Sequence, residues 1–193
     1  MKKDRVIWIY YLTEFLDNLD FTLPIYLLFF TTTLGVRIDQ AVLIGMLSWI
    51  ISIVFDFASG ILSDKFGPIK IAKIGYLLIF TNLALYFFKV NIVQVLLIQS
   101  LIGIGLALIS GVMESYIYEY LKQSNRESEY TKLTSNKQAF LYAGRTLSAV
   151  IGGILFTIDP RYPFLAFSLS FLISLGIKFY LPKLKIPSTK NNE

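Results

Sequence analysis

The chain has 193 residues, 55% of them apolar and 16% charged, with a formal net charge of +5. Soluble domains carry about 25% charged residues, so this composition points to a bilayer. The chain has neither cysteine nor histidine, which excludes a disulfide framework, thiolate metal sites and imidazole chemistry.

A helix needs about 20 residues to cross the hydrocarbon layer. Six apolar stretches meet that length, at residues 6–34, 41–63, 71–88, 92–121, 133–158 and 164–181. The first follows Met1-Lys2-Lys3-Asp4-Arg5 and carries Glu14, Asp17 and Asp20 with no Ala-x-Ala-like end. It therefore reads as a retained helix and not as a cleaved signal. The connections 35–40, 89–91 and 159–163 are short, whereas 64–70 and 122–132 are basic. Fourteen lysines and arginines fall on one side of this topology and three on the other. That bias predicts cytoplasmic termini in a multi-pass protein of the cell membrane. It also accounts for the basic balance without a nucleic-acid partner. The expected architecture is all-α and integral to the membrane, a six-helix bundle over residues 1–186 with a disordered cytoplasmic tail at 187–193. Six spans can also divide into two inverted three-helix units without visible sequence repetition.

Charge within a span is costly and faces a cavity or a partner. In the first stretch, Glu14, Asp17 and Asn18 share one helical face by their spacing, and Asp20 extends it. Asp56 lies in the second, Glu114 and Glu119 in the fourth, and Arg145 in the fifth. Arg145 is expected to pair with Glu114, Asp17 or Asp56, because an isolated guanidinium at that depth is unfavourable. Two readings stay open. One is a buried ion-pair network that fixes helix register. The other is a polar cavity in which surplus carboxylates, Glu14 and Asp17 first, bind protons or a cationic group. Small residues mark close packing: Gly144, Ser148, Gly152 and Gly153 in the fifth stretch, and Gly103, Gly105, Ser110 and Gly111 in the fourth.

Between the second and third stretches, Gly60, Asp64, Lys65, Gly67 and Lys70 resemble the signature loop of the major facilitator superfamily, Gly-x-Leu-x-Asp-Arg/Lys-x-Gly-Arg/Lys-x. Pro68 stands where the first basic residue after the second glycine is expected. The run from Gly144 to Gly153 is similar to the family's fifth-helix exporter motif, with Ser148-Ala149 in place of Gly-Pro. The resemblance implies the N-terminal six-helix half of a secondary transporter and not an enzyme. It implies alternating-access movement of a small organic solute with a proton as coupling ion and no other cofactor. Export of a cationic or amphipathic compound is the favoured reading; the alternatives are a sugar-like nutrient importer and a half-transporter inactive alone. Glu14, Asp17, Asn18, Asp56, Glu114 and Arg145 are the cavity candidates. Gly60, Asp64, Lys65, Gly67 and Lys70 are the gating candidates. In the family, the loop aspartate engages a helix end in a second six-helix bundle, so the expected partners are the bilayer, the solute and such a bundle, from another chain or a second copy.

Overall fold

The computed structural model describes residues 2–182 and 184; the expected tail at 187–193 lies outside them. All the regular elements among the described residues are helical. Helix α1 spans Lys2–Asp17. It stops where Asp17-Asn18-Leu19-Asp20 present short polar side chains that compete with the backbone for hydrogen bonds. The Asp20 carboxylate accepts from the Thr22 N–H at 2.9 Å, the Thr22 hydroxyl at 2.6 Å and the Leu23 N–H at 3.2 Å. Asp20 thus caps a turn and does not continue the polar face of α1. The chain resumes as α2, Tyr26–Leu28, and opens into a π turn over Phe29–Thr33. The stretch expected as one continuous helix is therefore a broken one.

Helices α3, Ile38–Phe66, and α4, Pro68–Leu85, are separated by Gly67 alone. The expected loop 64–70 is a one-residue corner. Gly67 takes φ +93°, a conformation that L side chains rarely adopt, and Pro68 opens α4, where a missing N–H costs nothing. Asp64 and Lys65 fall in the last turn of α3, and Lys70 in the first turn of α4. Nothing lies within 4 Å of a Cβ built at Gly60 or Gly67, so neither mediates close helix approach. Asp64 is exposed and caps no helix N-terminus among the described residues.

The fourth stretch is also broken. Helix α5, Ile92–Ile109, and α6, Val112–Lys122, meet at Ser110-Gly111. Gly111 has φ +67° and no neighbour within 4 Å of a built Cβ, so it bends the chain and does not pack. Helix α7 covers Tyr130–Ile158, and α8 covers Tyr162–Lys178.

Four helical stretches among the described residues are long and apolar enough to cross a membrane: Ile38–Phe66, Pro68–Leu85, Ile92–Lys122 and Glu127–Ile158. The 17-residue Tyr162–Lys178 is apolar but shorter, and α1 has 16 residues because of its break. The outer surface is apolar to a degree that water would not support; Phe57 is 80% exposed and Ile53 76%. Trp8 and Trp49 also face outward. These faces, with the long apolar helices, make the chain a multi-pass membrane protein.

Helix α1 packs on α7 and α8, α5 packs on α3 and α4, and α4 packs on α8. The close approaches use small residues. A Cβ at Gly144 would lie 2.6 Å from the Phe15 carbonyl oxygen, and one at Gly103 would lie 2.5 Å from that of Ser48. Gly75 and Gly105 face each other's carbonyls across α4 and α5. Ser148 is fully buried and its hydroxyl donates to the Arg145 carbonyl. Gly153, expected to pack with this set, has nothing within 4 Å of a built Cβ. One apolar core gathers Phe29, Phe30, Tyr86, Val95 and Phe164. A second gathers Val6, Tyr10, Tyr116, Ile117 and Leu121. Along the chain, Val6 to Tyr11 serve the second core and Ile25 to Phe30 the first. The polar residues 14–20 lie between.

Candidate functional site

The break in α1 sets the geometry of this middle layer. Helix α7 presses against it so closely that a Cβ at Gly152 would lie 2.1 Å from the Phe21 carbonyl oxygen. Asp17, the last residue of α1, meets α4 and α8. Its Oδ2 accepts from the Tyr76 hydroxyl at 2.6 Å and from Lys178 Nζ at 2.6 Å. Lys178 also donates to the Tyr76 hydroxyl oxygen and to Ser174 Oγ at 3.0 Å, and its ammonium lies 4.0 Å from the centroid of the Tyr76 ring. The Lys178 side chain is only 10% exposed and that of Asp17 17%. Asp17 Oδ1 is buried with no hydrogen-bond partner among the described residues. One carboxylate thus joins three helices with half of its accepting capacity unused.

A second charged group sits one turn earlier on α1. Lys137 of α7 pairs with Glu114 of α6 and lies 3.4 Å from Glu14 Oε2. Two carboxylates share one ammonium, which leaves this group net negative. The bend at Gly111 places Glu114 in the first turn of α6, where the helix dipole favours a negative charge. Asn18 ties the polar residues together. Its amide nitrogen donates to Glu14 Oε1 at 3.1 Å, and its oxygen accepts from Arg145 Nε at 3.3 Å.

The structure therefore assembles Glu14, Asp17, Asn18 and Glu114, with Arg145 at the edge. Arg145 forms no ion pair among the described residues and is exposed. The expected pairing with a carboxylate is corrected: two lysines hold those acids and leave the guanidinium an amide oxygen. Asp56 is not part of the assembly. It is exposed on α3 between the outward Phe55 and Phe57; its carbonyl accepts from Ser59 Oγ, and its carboxylate forms no ion pair among the described residues. Of the gating candidates, Lys65 lies 5.3 Å from the centroid of the neighbouring Phe66 ring.

Lys137, Lys178 and Tyr76 complete the site and were not among the sequence candidates. Both lysines lie near the ends of apolar stretches, where positive residues ordinarily signal topology and snorkel to the surface. A signal was present. Lys137 lies two turns inside α7, and Ser174 and Lys178 share a face at four-residue spacing.

A profile of the Major Facilitator Superfamily matches residues 7–193. The chain belongs to that superfamily. The charged layer therefore sits in a chain of a superfamily of transporters. No curated protein matches it. Among solved structures it is similar to a D-xylose–proton symporter, with a TM-score of 0.76 over 95% of this chain at 18% identity. At that identity the likeness speaks for the fold. The match covers 49% of the symporter chain, so this major facilitator sequence spans about half the length of the transporter it resembles.

Proposed function

We propose that the chain is the N-terminal bundle of a proton-coupled secondary transporter that moves a small organic solute by alternating access. The observation that carries the proposal is the Asp17–Lys178–Tyr76 junction. A buried carboxylate oxygen without a partner is unusual, and here it lies where α1, α4 and α8 meet. A proton on Asp17 would weaken its hold on Lys178 and loosen that seam; loss of the proton would close it. Alternating access in such transporters is a rocking of one bundle against the other, and a seam that loosens and closes would bias that motion.

Six spans in two inverted three-helix units are part of this reading. Its support is the packing: exchanging the first three spans for the last three turns the α1–α7 contact into α5–α3, α1–α8 into α5–α4, and leaves α4–α8 unchanged. The reading keeps both termini in the cytoplasm of a cell-membrane protein. A second six-helix bundle, from another chain or a second copy, is the proposed partner on the faces of α3 and α7 that carry Asp56, Phe57, Val150 and Ile154, all exposed.

Export of a cationic or amphipathic compound is the first reading of substrate and direction, because Glu14 and Glu114 share the single Lys137. Uptake of a neutral polar solute is the second. It is favoured by the neutralisation of Asp17 by Lys178 and by the resemblance to a sugar–proton symporter. Energised vesicles separate them. The export reading expects organic cations to accumulate in inside-out vesicles, and accumulation in right-side-out vesicles would sink it.

Asp64 tests the role of the second bundle. It is exposed at the end of α3 and has no ion pair among the described residues. Asp64→Asn is expected to leave the thermal stability of the isolated chain within about 0.5 kcal/mol of wild type, and to slow solute flux only where a second bundle is present. An equal loss of stability in the isolated chain would assign Asp64 a local structural role.

A further inference from the structure

A cavity of about 570 Å³ borders the charged layer at Tyr76 and Lys178 and opens between the α3–α4 corner, α6 and the end of α8. It falls within the size range of small-molecule sites. Its walls are mainly apolar, with Ala72, Ile109, Val112, Met113 and Leu175 among them. Among the described residues, the charged side chains that line it are Lys70, Lys73 and Lys178, with no carboxylate beside them. Lys178 is balanced by Asp17 at the floor. Lys70 and Lys73 form no ion pair among the described residues. Lys73 rests 4.0 Å from the Phe179 ring centroid, which holds its ammonium beside the cavity. An apolar slot with two uncompensated ammonium groups, in a protein surrounded by lipid, is complementary to one class of molecule: an amphiphile with an anionic head and an apolar chain.

We propose that this cavity is a binding site for an anionic phospholipid, with the phosphate held between Lys70 and Lys73 and an acyl chain along the α6 and α8 wall. Basic pockets between membrane helices hold anionic headgroups in this manner, each lysine adding attraction at the membrane surface. The site differs from the acidic layer in the sign of its free charge, so a cationic solute and an anionic lipid do not compete for it. It also adjoins Lys178 directly, which places a lipid next to the seam between α4 and α8. The inference requires the membrane bundle but not proton coupling, so it stands or falls separately from the transport proposal.

The test is lipid retention by native mass spectrometry after reconstitution of the full chain in equal phosphatidylglycerol and phosphatidylcholine. The wild type is expected to retain phosphatidylglycerol preferentially. Lys70→Gln with Lys73→Gln is expected to cut that preference about tenfold, whereas Lys132→Gln, a lysine on α7 away from the cavity, leaves it intact. Val112→Trp, which fills the slot, is expected to lower phosphatidylglycerol retention with both lysines present. Helicity by circular dichroism identifies any variant that fails to fold, and the wild-type lipid preference stands as a test without it. Equal retention of both lipids by the wild type would overturn the proposal. So would an unchanged preference in the double lysine variant, or saturable displacement of the lipid by water-soluble glycerol phosphate, which would mark the cavity as a free-phosphate site.

Discussion

Lys178→Met is expected to destabilise the bundle by about 3–5 kcal/mol, the range for breaking a buried ion pair from one side. The side chain is replaced by one of similar length, so little packing is lost. What remains is Asp17, partly buried at the junction of three helices and deprived of the ammonium 2.6 Å away. The Tyr76 hydroxyl, also at 2.6 Å, offers it a dipole but no charge. Asp17→Asn combined with Lys178→Met removes both charges and is expected to recover most of the loss, because a neutral pair avoids the desolvation penalty. Chemical unfolding in detergent measures all three proteins. A double variant no more stable than Lys178→Met would show that the pair is not the source of the loss.

Gly152→Leu is expected to cost at least about 1–3 kcal/mol, the usual scale of overpacking, and to loosen α7 from the break in α1. Its added Cβ would start 2.1 Å from the Phe21 carbonyl oxygen, a contact with backbone that no rotamer can relieve. Gly153, one residue on, has nothing within 4 Å of a built Cβ. Gly153→Ala is therefore expected to stabilise α7 by up to about 1 kcal/mol through helix propensity. Thermal melts of the two variants side by side measure the difference. Equal effects would mean that α7 and residues 15–21 are not in the close register described above.

These two adjacent glycines show where sequence reading reaches its limit. Four-residue spacing put Gly144, Ser148 and Gly152 on one face, and that face packs. Gly153 joined them only by adjacency, and helical geometry turns it about 100° away. The long apolar runs were legible because hydropathy is local. The breaks were less so. Asp20 reads as one more acid on a helical stripe until Thr22 and Leu23 donate to it. Gly111 reads as a packing residue until its positive φ is known. The acids of the charged layer were identifiable, since carboxylates in apolar runs stand out. Their partners were not, because Lys137 and Lys178 look like surface anchors in one dimension and are brought inward only by the packing of α7 and α8 on α1.

The measurement that bears most directly on the account is proton movement driven by solute in membrane vesicles from cells expressing the chain in its native assembly, with a pH-sensitive dye inside. Organic cations and sugars are added in turn to wild-type and Asp17→Asn vesicles matched for protein content. Asp17 as the coupling group predicts a solute-evoked pH change in the wild type and its loss in Asp17→Asn. The same pH change in both, or solute movement with none in the wild type, would contradict it.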